Sequence, residues 1–324
     1  MSCKYSKRKP KSRGEYKHKC WKKFLLRDSL PKGFPNIDSG MYFICQKFAE
    51  RSTLANVFGT KETYYGTIYN TADRIPLMSF GRFKDLGDDS TPVMTYMIEK
   101  GLQQNEYSFL DWLGAKKQRG MYHKEIPPQQ TAMCEIGEYQ AITYDFDSLK
   151  YEIHQLLPSI LMGSNVAKQI STYTLTNTAP MHLSLGGAWK RAVLNIRLYA
   201  INVCGIPTEE NKKLDNRHQS HNTPEMYIMS GAVPSTNPKY ITGNDVNVPY
   251  LFWLAGCCIR GAETSSFSIY ARNTNDSTIV AAPVVQLEVL LSDLYKSKYS
   301  IKLFPSLDGV CGDVSNDKSE ALYL

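Results

Sequence analysis

No apolar run in this chain is long enough to cross a bilayer. The longest, "YLFWLAGCCI" at 250–259, is about half of the roughly 20 residues that a spanning helix needs. An apolar leader is also missing near the start, where lysines fill the span, so neither a secretory signal nor membrane insertion is expected. Eight cysteines (Cys3, Cys20, Cys45, Cys134, Cys204, Cys257, Cys258, Cys311) share no recurring spacing among 324 residues. That is too sparse for a secreted disulfide scaffold, and the expectation is intracellular synthesis with reduced thiols.

Enzymatic signatures are equally scarce. "FGTKET" at 58–63 and Gly186-Gly187 each supply only a fragment of a phosphate-cradling loop. Ser164 in "MGSN" lacks the following glycine of a nucleophile elbow. Gly87-Asp88-Asp89 has the carboxylate pair of a polymerase metal site but sits in a turn without flanking apolar strands. Asp145 and Asp147 would share one face of a strand and reach a divalent ion, although Asp147 serves equally as a helix cap. His218 and His221 lie in a polar loop with no third ligand, and Cys3, His18 and Cys20 lack the paired spacing that closes a zinc site. The reading is no catalytic residue, no metal, no cofactor and no enzyme.

What the chain does have is a concentration of positive charge. Residues 1–32 hold twelve Lys or Arg against Glu15 and Asp28, a net +10, so the other 292 residues carry −3 of the total of +7. With few apolar residues and with Pro10, Gly14 and Pro31 breaking any helix, this stretch cannot offset its ordering entropy. Residues 1–38 are therefore expected to form a disordered basic arm. Lys4, Lys7, Arg8, Lys9, Lys11, Arg13, Lys17, Lys19, Lys22 and Lys23 are the candidate nucleic-acid-binding residues. Each cation that neutralises a phosphate releases counterions, which makes the contact tight, salt-sensitive and independent of sequence. Tyr5, Tyr16, Trp21 and Phe24 stand among the charges, and such rings stack on unpaired bases for about 1–3 kcal/mol each. Lys7, Arg8, Lys9 and Lys11 overlap a nuclear-import cluster, which implies host import receptors as further partners.

From residue 39 to 324 the pattern is mainly β. "MYFICQKF" (41–48), "ETYYGTIYNT" (62–71), "GEYQAITYDFD" (137–147), "STYTLTNTAPMHLSL" (171–185), "RAVLNIRLYAINV" (191–203), "VPYLFWLAGCCIRG" (248–261), "SSFSIYARNT" (265–274) and "VVQLEVLLSDLY" (284–295) read as strands or strand pairs. Helical spacing interrupts at 92–118 and at 147–169, and 205–247 reads as long polar loops. Irregular connections favour a single antiparallel β-sandwich or jelly roll, with insertions at about 92–118 and 205–247.

A cationic arm, "KYSKRKPKSR" at 4–13, followed by the aromatic-rich pair "STYTLTNTAPMHLSLGGAWKRAVLNIRLYAINV" at 171–203, resembles the jelly-roll capsid proteins of small circular single-stranded DNA viruses. The resemblance implies a structural coat protein that self-assembles into an icosahedral shell. It implies packaging of a single-stranded genome, DNA rather than RNA, and residence in the virion with passage through host nucleus or cytoplasm. The competing expectation is a nucleic-acid-binding protein that forms no shell, such as a nucleoprotein, movement or chromatin-associated factor.

Overall fold

Every residue from Leu251 to Cys258 is buried, so the strand that carries them is covered on both faces. The computed structural model describes residues 23–34, 41–46, 63–87, 96, 140–141, 146, 149–163, 165–208, 223–236, 241, 246–305, 311 and 314–322. Its strands are β1 (Met41–Gln46), β2 (Tyr65–Asn70), β3 (Ile75–Phe83), β4 (Tyr151–Gln155), β5 (Thr178–His182), β6 (Glu225–Val233), β7 (Leu251–Arg260), β8 (Glu263–Arg272) and β9 (Val280–Ala282). Its helices are α1 (Val166–Ser171), α2 (Leu183–Asn202) and α3 (Val284–Leu294). The fold is mainly β. Seven strands form one antiparallel sheet in the order β1-β2-β3-β6-β7-β8-β9, and β4 with β5 form a separate ribbon.

Period-two alternation on β7 divides the interior into two layers. Phe252, Leu254 and Cys258 face one layer, with Leu185, Trp189, Val193 and Ile196 of α2 and Met181 of the ribbon. Leu251, Trp253, Ala255 and Cys257 face the other, with Val284, Leu287 and Leu291 of α3 and with Phe24, Leu25 and Leu26. Among the described residues a helix-bearing layer therefore covers each face of one large sheet. A jelly roll would instead pack a second sheet against the first.

Glycine opposite a large ring recurs across the sheet. Gly66 pairs with Phe80, Gly231 with Trp253 and Gly256 with Phe267. In each pair the ring lies across the glycine, in the space a Cβ would need. Packing density at the centre of the sheet thus depends on a missing side chain as much as on a present one.

Several expected elements are replaced. Residues 191–203 and 284–295 fold as helices, not strands. On α2 the buried residues Leu185, Trp189, Ala192, Val193, Ile196, Tyr199 and Ala200 recur at three and four, while Leu194 and Leu198 are exposed. On α3 the same spacing buries Val284, Leu287 and Leu291. Both stretches are rich in alternating apolar residues, and sheet-facing packing selected the helical period over the strand period. Within 147–169, residues 151–155 form β4 because β5 supplies a ladder partner, from Tyr151 opposite His182 to Gln155 opposite Thr178. The loop expectation at 205–247 misses β6, whose residues Met226 to Val233 are all buried. The helix expected at 92–118 lies outside the described residues except for Tyr96, as does most of the strand at 137–147.

The reduced-thiol expectation is also overturned. Cys204 bonds Cys258 and Cys257 bonds Cys311. Neighbouring cysteines on a strand point to opposite faces, so one bridge holds the end of α2 and the other holds the C-terminal segment. Cys45 is disulfide-bonded as well, and no free cysteine occurs among the described residues. Among those residues, no helix is long and apolar enough to cross a membrane.

Replacing Gly231 with valine is expected to destabilise the chain by about 1–3 kcal/mol, because the Trp253 indole must leave its place. A denaturant midpoint unchanged from the parent protein refutes this reading of the glycine–ring pairs.

Candidate functional site

Three buried polar atoms without a hydrogen-bond partner among the described residues converge where the β4–β5 ribbon meets α2: Glu152 Oε1, His154 Nε2 and Trp189 Nε1. Buried polar groups are nearly always paired, and an orphan costs about 1–3 kcal/mol. Three together mark a place that the fold holds ready for something else.

Two buried asparagines set the ribbon. Asn177 accepts from Leu157 N at 3.1 Å and donates to Leu157 O and Thr172 O, both at 3.0 Å. Asn273, at the end of β8, accepts from His182 N at 2.7 Å and donates to Pro180 O at 3.0 Å and Pro249 O at 3.1 Å. Asn273 thus takes up two backbone groups on β5, His182 N and Pro180 O, while Asn177 ties the segment entering β5 to Leu157 and Thr172. Pro180 itself has no N–H to donate. His182 then caps α2, its Nδ1 accepting from Ser184 N at 3.3 Å.

Glu152 and His154, two apart on β4, share the face turned to α2. The Glu152 carboxylate lies against Gly186, in space that a Cβ there would occupy, and Lys190 Nζ stands 3.5 Å from its Oε1. The side chain of Glu152 is 29% exposed, so this ion pair stands at the rim. Beneath it, the His154 ring meets Trp189 edge-on at 5.9 Å and Phe252 at 5.6 Å. Burial, and secondarily the Lys190 ammonium, push the His154 imidazole down to about 3. The ring is therefore neutral at physiological pH. Tyr96 and Tyr173 adjoin the same face with ring centres 5.8 Å apart. Burial first, then the neighbouring Tyr173 and the Glu152 carboxylate, raise the Tyr96 hydroxyl well above the ordinary tyrosine range. Chemically the arrangement offers a neutral imidazole beside a carboxylate and a cation that are ion-paired with each other at the rim. No group of three metal-ligating side chains assembles among the described residues.

Of the basic residues expected to bind nucleic acid, Lys4, Lys7, Arg8, Lys9, Lys11, Arg13, Lys17, Lys19 and Lys22 lie outside the described residues, and so does the import cluster among them. Lys23 is exposed beside Phe24, Leu25 and Leu26, which pack on the face of the sheet away from α2. The structure does not bring it to Glu152 and His154. Asp88, Asp89, Asp145, Asp147, His218 and His221 also lie outside the described residues. Sequence reasoning missed Glu152, His154 and Lys190 altogether, and noted Gly186 only as a fragment of a phosphate-cradling loop. The available signal was Glu-x-His at strand spacing, hidden because the segment was read as a helix.

No family profile matches the chain. Two curated relatives do. The endonuclease domain-containing 1 protein of Mus musculus is 26% identical over 278 residues, covering 85% of this chain and 44% of the relative. Its Homo sapiens counterpart is 25% identical over 254 residues, covering 78% and 42%. The chain thus spans less than half the length of these relatives. Among solved structures, a chain of the EndoG/EndoGI complex aligns with TM-score 0.44 and 12% identity over 74% of this chain and 84% of that one, too slight a likeness to assign a fold.

These relatives overturn the capsid resemblance. Both are mammalian proteins named for an endonuclease domain, and their similarity extends over most of the chain. The icosahedral self-assembled shell, the packaged viral genome, the virion with its passage through host nucleus or cytoplasm, the import-receptor partners and the non-enzyme reading are withdrawn with it. The motif at 171–203 that carried the resemblance is a strand, a helix cap and a helix, not a strand pair.

Because the His154 imidazole is depressed to about 3 from 6.5, the unfolded chain binds more protons than the folded one between those values. Stability is then full above the unfolded value and falls as pH drops toward 3, at up to about 1.4 kcal/mol per pH unit. The urea midpoint is expected to drop between pH 7 and pH 5, and His154→Phe to flatten that drop. Equal slopes for parent and variant refute the assignment.

Proposed function

We propose that this chain is an endonuclease-like domain that binds nucleic acid and hydrolyses its phosphodiester backbone at the β4–α2 junction. The observation that carries this reading is the similarity, over 85% of the chain, to a protein named for its endonuclease domain. The geometry supplies matching chemistry. His154 Nε2 carries no hydrogen bond among the described residues. In the Nδ1–H tautomer, and once the Glu152–Lys190 rim opens to admit water, it accepts the proton of a water attacking phosphorus. A bound phosphate brings negative charge to the ring and raises its proton affinity, offsetting the depression that burial imposes in the free protein. Lys190 offsets the charge that develops on the phosphoryl oxygens. Glu152, pressed into the hollow at Gly186, orients Lys190 and holds it at the rim.

In this reading residues 1–22 are an electrostatic tether that adds affinity without choosing a sequence. Two disulfides among the described residues further favour folding in an oxidising compartment.

Purified full-length chain is expected to cut plasmid DNA or single-stranded RNA, with and without added divalent cations compared. His154→Ala should lower the rate by about 100-fold or more, while leaving the near-ultraviolet spectrum of the fold intact. Nucleic-acid binding without scission by the parent chain would turn the reading to a binding domain. Scission unaffected by His154→Ala would place the chemistry elsewhere. Deleting residues 1–22 should weaken binding and flatten the dependence of log affinity on log salt. An unchanged salt slope refutes the tether.

A further inference from the structure

The two disulfides leave β7 from adjacent residues, yet their surroundings differ. Cys257 and Cys311 have no exposed surface and sit in the layer under α3. Cys204 and Cys258 are 2% and 3% exposed and line a surface cavity of about 250 Å³. Arg260 and Lys318 line the same cavity, with Thr264 and Ser265 beside them. Glu263 balances one of these cations, its carboxylate accepting from Arg260 Nε at 3.1 Å, so the mouth keeps a net positive charge. Nothing in the proposed hydrolytic chemistry uses this cavity, which adjoins the C-terminal end of α2 beyond Val203.

We infer that the Cys204–Cys258 bridge is a thiol–disulfide exchange site for a small anionic thiol of the glutathione class, and that Cys257–Cys311 is a fixed structural bond. The cavity admits the attacking thiolate to one bridge only, and its cations draw in a carboxylate-bearing thiol.

Chemistry within the site also has a direction. Cys204 follows the C-terminus of α2, where the helix dipole disfavours added negative charge. Cys258 lies two residues from Arg260 on β7, beside the cationic mouth. The incoming thiolate therefore attacks Cys204 Sγ, a bond forms between those sulfurs, and the Cys204–Cys258 bond breaks with its electron pair on Cys258. A second thiol attacks the small-molecule sulfur of this mixed disulfide. It releases Cys204 as a thiol and leaves the oxidised small-molecule disulfide, so two thiols are oxidised for each protein bridge reduced. Reduction releases the tether at one end of α2, while His182 and the ribbon still hold the other.

The test uses the oxidised full-length chain in glutathione redox buffers, quenched by alkylation and read by peptide mass spectrometry. Cys204 and Cys258 should become labelled about tenfold or more faster than Cys257 and Cys311, with the mixed disulfide found on Cys204. Joint opening, opening of Cys257–Cys311 first, or no opening short of global unfolding overturns the inference. Combining Arg260→Gln with Lys318→Gln, both at the cavity mouth, should slow exchange with glutathione about threefold or more while leaving a neutral thiol such as 2-mercaptoethanol unaffected. Equal slowing of both thiols, or of neither, refutes the role of the cations.

Discussion

Burial of β7 on both faces is the constraint from which the rest of this structure follows. A strand with an exposed face needs only one layer of apolar partners, whereas Leu251–Cys258 requires two. One layer is supplied by α2 and the β4–β5 ribbon, the other by α3 together with the segments around Phe24–Leu26 and Ile301–Phe304. Cys257 and Cys258 repeat that division in covalent form, each tying its own layer to the same strand. Glu288 adds a polar tie in the second layer, accepting from Leu303 N and Lys302 Nζ at 2.8 Å each. Its charge is neutralised where it is buried.

The candidate site grows out of the first layer. A two-stranded ribbon is marginal alone, and here Asn273 stitches the β5 backbone to the body, Asn177 ties the approach to β5 to Leu157, and α2 covers one face of the ribbon. That face is apolar at Met181 and Trp189 but carries Glu152 and His154. The body of the fold satisfies its polar groups with some care, as at Ser268, Ser319 and Asn247. Unpaired buried atoms also occur away from the ribbon, as at Gln46 Oε1 and Trp253 Nε1. Those of β4 and α2 differ in lying together, with the His154 ring packed edge-on to Trp189 and against Phe252. Sites that bind and transform ligands carry such unmet polar capacity because the ligand completes it.

The legible part of the fold was the part where one reading of period suffices. β1, β2, β7 and β8 are rich in β-branched or aromatic residues and bounded by turn residues. β1, β2 and β7 lie within the stretches expected, and β8 (Glu263–Arg272) overlaps the expected 265–274 with a start two residues earlier. β6 escaped because it follows a long polar stretch, and "EMYIMSGAV" lacks clean alternation when both faces are buried. α2 and α3 were misread because "RAVLNIRLYAINV" and "VVQLEVLLSDLY" satisfy period two and period 3.6 together. The site was illegible for the same reason, since Glu152 and His154 share a face only if β4 is a strand. The cysteines were misread because the one spacing that does recur, 54 residues for Cys204–Cys258 and for Cys257–Cys311, is too long to register as a motif, and the partners meet only through the sheet. The capsid resemblance rested on reading 171–203 as two strands, and it failed where that reading failed.

The sequence alone determined the class of the core, a β-rich body behind a cationic leading segment. Apolar alternation and charge segregation are local properties that any folded state must respect. Only the tertiary structure decided which ambiguous stretches became helices, which cysteines pair, and that a carboxylate, an imidazole and an ammonium come together where β4 faces α2. Those outcomes depend on contacts between residues far apart along the chain, and no local pattern encodes the partner.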